Sequence, residues 1–144
     1  MTLSRILPLA LLSLGSLAVL SGCAIGDTLN IETESEFPTT AEVSADWDKS
    51  APWLPEDATD ILIREVQKAD SAVLLATTSS ELDPSLCVET ERRSAPMFTV
   101  DGAPDAYADR AFACGDWTVI PSDDGWYGWT PSHPDEQAAS ERIG

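Results

Sequence analysis

The chain has 144 residues, with 25 Asp and Glu against 8 Lys and Arg, a formal net charge of -17, one His and three Cys. That length allows one domain, and the shortage of basic residues, whose one adjacent pair is Arg92-Arg93, excludes a surface that tracks nucleic-acid phosphates. A single imidazole and the lack of a Gly-rich phosphate loop leave little for nucleophilic or phosphoryl-transfer chemistry.

Residues 1–22 combine a positive start at Arg5, an apolar stretch from Ile6 to Leu20 and a small-residue exit. At about 15 residues, and broken by Pro8, Ser13 and Gly15, the stretch is short of the ~20 needed to span a bilayer and reads as the core of a signal peptide. Leu20-Ser21-Gly22-Cys23 resembles the lipobox of bacterial lipoproteins, where small residues lead to a cysteine whose thiol takes up diacylglycerol. The resemblance implies that Cys23 is the first mature residue and the lipidation site. Two or three acyl chains there, palmitate among them, give a stable anchor where one gives marginal binding. The expected location is the extracytoplasmic face of the cell membrane. Beyond these residues the chain looks like the short uncharacterised lipoproteins of Gram-positive bacteria, a likeness that implies location alone.

Residues 23–51 follow as the acylated Cys and an acidic segment, with Asp27, Glu32, Glu34, Glu36, Glu42, Asp46 and Asp48 against Lys49. Little apolar surface is available there to offset ordering, so the segment reads as a disordered tether, with Trp47 the residue best suited to dock on the domain.

A small domain is expected over 52–131. Pro55, Glu56 and Asp57 suit a helix start, and Ala58, Ile61, Leu62, Val66 and Ala69 then form an amphipathic helical stripe. Four strands are expected to follow: Ala72 to Ala76, Pro96 to Val100, Arg110 to Ile120, and Gly125 to Thr130, the last two joined by a hairpin loop at 121–124. Residues 132–144 read as a polar, frayed tail. The expected fold is α+β: one amphipathic helix packed on a small antiparallel sheet of about four strands, with one disulfide. With Cys23 acylated, Cys87 and Cys114 remain to form that bridge in an oxidising compartment; no Cys-x-x-Cys or nearby His favours a redox or metal role.

His133, between Ser132 and Pro134, lies in the expected tail, away from any nucleophile. The carboxylates Asp101, Asp105, Asp109, Asp116, Asp123 and Asp124 are numerous, but nothing local marks a pair shifted for acid-base work. Asp46-Trp47-Asp48 and Asp123-Asp124-Gly125 lack the spacing of a calcium loop, so no metal or cofactor is expected. Trp126 faces one side of a strand and Tyr127 and Trp129 the other. These rings either complete a small core or present a ligand-binding surface able to stack on sugars, peptides or cations. The expected function is that of a non-enzymatic binding or interaction module, anchored in the membrane, that meets an unidentified partner in the cell envelope and no nucleic acid. The alternatives are a solute- or glycan-binding module using exposed aromatics of residues 126–129, and an envelope enzyme using paired carboxylates.

Overall fold

A computed structural model describes residues 31–143, so Cys23 and the signal-peptide residues lie outside the described part. The described residues form seven strands and two short helices: β1 (Glu32–Thr39), α1 (Thr40–Asp46), β2 (Thr59–Val66), β3 (Ala72–Thr77), β4 (Val88–Glu91), β5 (Arg110–Cys114), β6 (Trp117–Ser122), β7 (Gly125–Thr130) and α2 (Pro134–Glu141). All strands belong to one antiparallel sheet in the order β1-β2-β3-β7-β6-β5-β4. Two meanders, β1–β3 and β4–β7, thus join edge to edge where β3 meets β7.

This corrects the expectation of one helix on about four strands. The helical stripe from Ala58 to Ala69 is the strand β2. A helix on that stripe would have left Ile63 off its apolar face, whereas the strand buries Ile61 and Ile63 together on one side, as a two-residue period requires. β-Branched residues also fit the pleated surface better than a helix.

The acidic segment differs from a tether as well. Glu32 to Thr39 pairs along β2, with Phe37 opposite Ile61, and the Thr39 hydroxyl caps α1 by accepting the Glu42 N–H at 3.3 Å. Val43 and Trp47 are buried beneath it. An edge strand has one neighbour and one solvated side, so it can form from residues that bury little of their own.

Three further differences are local. Pro96 to Val100 makes no strand, and β4 arises instead at Val88–Glu91. Arg110 to Ile120 is two strands, because Gly115 at φ 65° with Asp116 closes a two-residue hairpin. Within the expected tail, Pro134–Glu141 form α2, which packs back against β4 and β5 rather than fraying. The β6–β7 hairpin does occur, with Ser122 opposite Gly125. Gly125 is required there for close approach: a Cβ would run into the Ala76 carbonyl of β3.

Both faces of the sheet are covered. On one, Val43, Trp47, Trp53, Leu54, Ala58 and Leu82 pack on the sheet residues Ile61, Ile63, Leu74, Trp117, Val119 and Trp126. On the other, the β4–β5 connection lays Phe98, Val100, Ala103 and Ala106 over Val73, Ile120, Tyr127 and Trp129. Indole N–H groups tie these covers down. Trp117 donates to Ser50 O at 3.0 Å, Trp126 to Ser80 O at 2.9 Å and Trp129 to Ser94 Oγ at 2.9 Å. Each ring so combines apolar burial with one directed bond to a loop.

The expected bridge between Cys87 and Cys114 is present, with Cα atoms 4.3 Å apart and 27 positions separating the two residues. It continues the β4–β5 ladder, where Val88 lies opposite Ala113. Closing a loop of that size stabilises by roughly 3.5 kcal/mol in the chain-entropy model. Cys87→Ser with Cys114→Ser is expected to lose about that amount in urea unfolding. A thiol reagent applied to the unfolded, unreduced chain should leave both cysteines untouched, and labelling of both would refute the bridge.

Candidate binding surfaces and a buried carboxylate network

The three aromatic candidates lie on β7 and point to opposite faces as their spacing requires, but both faces are covered. Trp126, Tyr127 and Trp129 are 8%, 0% and 1% exposed, so none offers a ring face to a solute. Gly128, between them, is in close contact with the Trp53 ring, whose Cζ2 would lie 2.5 Å from a Cβ at that position. Burial also raises the Tyr127 hydroxyl pKa, with a bond from Thr99 acting in the opposite direction. The strand expected to supply a stacking platform is the centre of the core.

The most elaborate polar site was not anticipated. Glu136, on the first turn of α2, is fully buried. Its Oε1 accepts the backbone N–H groups of Arg93 at 2.7 Å and Ser94 at 3.1 Å. Its Oε2 accepts the Ser94 hydroxyl at 2.6 Å, the Thr118 hydroxyl at 2.8 Å and the His133 N–H at 2.7 Å. Desolvation alone would raise this carboxyl's pKa. The donors of Arg93, Ser94, His133 and Thr118 outweigh that and hold it below the usual glutamate value. Ser94 and Thr118 also lie 2.9 Å apart; once Ser94 gives its proton to Glu136, the Thr118 proton can serve either oxygen. A sequence signal for this site existed, since His133-Pro134-Asp135-Glu136 is a capping box with Pro at the first helical position. The His133 Nδ1 accepts the Asp135 N–H at 3.1 Å, which occupies the chain's single imidazole as a helix cap.

The chemistry of this cluster is closed. Glu136 has no acceptor position left for a substrate proton, and its donors come from three segments, so it fastens the start of α2, the β4–β5 connection and β6 together. A general base needs the opposite: an open face and a pKa moved toward neutrality.

The remaining carboxylates are dispersed. Asp101, Asp105 and Asp109 are exposed along the β4–β5 connection, and Asp116 is exposed in the β5–β6 turn. Asp123 and Asp124 line an open depression of about 540 Å3 with Asp57, Thr78, Ser80 and Glu81. Thr78 donates to Asp57 at 2.8 Å, and this bond, with one from Ser80, lowers the Asp57 pKa. Among the described residues no three His, Cys, Asp or Glu are grouped so as to hold a metal ion, and no helix is long and apolar enough to cross a membrane.

A second depression, also about 540 Å3, crosses β1, β2 and β3 and has an apolar floor. Most of the positive charge is engaged elsewhere: Lys49 with Glu65, Arg64 with Glu32, Arg93 with Glu91 and Arg110 with Glu89. The surface left over is therefore strongly negative, which favours cationic partners and repels anionic ones. Comparison with family models, curated proteins and solved structures gives no match to this chain.

Proposed function

We propose that the chain is an extracytoplasmic lipoprotein whose folded part is a non-enzymatic binding module, held on the outer face of the cell membrane by acyl chains on Cys23. The observation that carries this reading is the Cys87–Cys114 bridge, because such bridges persist in oxidising compartments and agree with the lipobox-like Leu20-Ser21-Gly22-Cys23. The non-enzymatic part is supported by the way the chain uses its reactive groups. His133 is a cap, Glu136 is saturated with donors, and the other candidate carboxylates, Asp101, Asp105, Asp109, Asp116, Asp123 and Asp124, are exposed on loops.

The fold shortens the distance to the membrane relative to a tether running to residue 51. β1 begins at Glu32, so the nine steps from Cys23 reach at most about 30 Å. The module is thereby held close to the lipid, where it meets partners within the envelope. Cys23→Ala is expected to release the protein from the membrane or leave it unprocessed. Unchanged processing together with full membrane retention contradicts the anchor, and mass spectrometry of the native product checks for the added acyl chains directly.

A further inference from the structure

We infer that the groove across β1, β2 and β3 is a docking site for a lysine or arginine side chain borne on an apolar segment of a partner protein. Its floor is Leu62 and Leu75, which lie directly opposite each other across β2 and β3 and are only half-buried. The covering connection stops short of them. It turns at Asp101-Gly102, with Ala103 N–H bonded to Val100 O at 3.2 Å and Gly102 at φ 81°. A Cβ on Gly102 would lie 3.5 Å from Leu75 Cδ2, so this turn forms the wall of the groove rather than its lid.

Three carboxylates line the rim, each from a different element: Glu36 from β1, Asp60 from β2 and Asp101 from the turn. Asp60 stands at the irregularity between Thr59 and Leu62, at φ 49°, a conformation that Asp and Asn tolerate better than most residues. Among the described residues, no Lys, Arg or His lines the groove. The nearest cation on that face of β2, Arg64, is committed to Glu32, to Thr99 O at 3.0 Å and to the Phe98 ring at 5.6 Å. The negative rim is thus without an internal counter-ion.

The chemistry of the occupant follows from the floor and the rim together. The carboxylates are not grouped as metal ligands, so a small hard ion would not satisfy them. A lysine or arginine fits instead, because its aliphatic stem covers apolar surface while its head reaches outward to separated charges. A second copy of this chain would bring like charge to the groove, and an anionic lipid surface would be repelled by it. Flanking leucines on the partner would extend the contact onto Pro38, which borders the same floor. The inference rests on the binding-module reading for its premise that the partner is a protein.

The test uses the oxidised, unacylated full chain bearing Cys23→Ser, labelled with 15N and titrated with the heptapeptide Gly-Ser-Leu-Lys-Leu-Ser-Gly at about 0.15 M salt. Saturable amide shifts are expected at Asp60, Leu62, Leu75 and Gly102. Asp60→Asn with Asp101→Asn should weaken binding about tenfold, whereas Asp123→Asn with Asp124→Asn should not. On the unaltered groove, replacing the peptide's Lys by Glu should abolish the shifts, and replacing both Leu by Gly should weaken them. Absence of local shifts, equal loss with the remote pair, or a dimer in sedimentation that protects Leu62 each overturns the assignment. Crosslinking on intact cells that captures a partner through another surface rejects this groove while leaving the anchored binding module standing.

Discussion

Glu136→Ala is expected to cost about 4 kcal/mol, because it leaves three backbone N–H groups and two hydroxyls buried around an empty site, and each buried orphan costs roughly 1–3 kcal/mol before relaxation. Glu136→Gln keeps the volume but sets an amide NH2 against donors, so a loss of about 3 kcal/mol is expected. The acid response separates this network from general destabilisation. A carboxyl with a lowered folded-state pKa stabilises the fold fully above its unfolded value, near 4.5, and that contribution is lost as pH falls through the folded value. The native chain should therefore lose stability below about pH 4.5 through this group, and the Gln variant should lack that part of the slope. Urea midpoints measured for both proteins at pH 6 and pH 3 decide the point. Identical slopes in the two proteins would mean that Glu136 does not carry the charge assigned to it.

The same residue shows what could be read from the sequence and what could not. The capping box at His133 to Glu136 is a local pattern, and it marks the start of α2. The donors from Arg93, Ser94 and Thr118 are distant in sequence, and no spacing rule brings them together. On β7 the alternation of Trp126 with Tyr127 and Trp129 assigns the rings to two faces, as the structure has them. Alternation says nothing about what covers a face, which is why an exposed platform was conceivable. β2 failed for another reason: over a short window, offsets of three and four overlap with offsets of two, and only Ile63 distinguished them. β1 carries Glu32, Glu34 and Glu36 and has almost no apolar signal, because its stability comes from backbone bonds to β2. The bridge was legible because two cysteines remained for one another once Cys23 was set aside. The groove over Leu62 and Leu75 was not, since it depends on where the β4–β5 connection ends.

Trp117→Ala is expected to have the largest effect of any single truncation, about 5 kcal/mol. The ring stands on β6 between two others, with centroids 6.2 Å from Trp47 and 5.8 Å from Trp53, both edge-to-face. Its N–H holds Ser50 O, so one side chain supports the whole cover formed by residues 40–58. Removal opens a cavity, deprives both neighbouring indoles of their edge contact and releases the loop. The neighbours cannot compensate easily: Trp53 Nε1 is already buried without a hydrogen-bond partner among the described residues, and Trp47 is held by Glu65 at 3.1 Å. Trp117→Phe retains a ring and loses the directed bond, so a cost of about 2 kcal/mol is expected. The two variants differ in a second respect. Hydrogen exchange across α1 should accelerate well beyond the global change in the Ala variant and only slightly in the Phe variant, because the cover can open while the sheet persists. Equal costs and equal exchange in the two variants would show that residues 40–58 are held by some contact other than this ring.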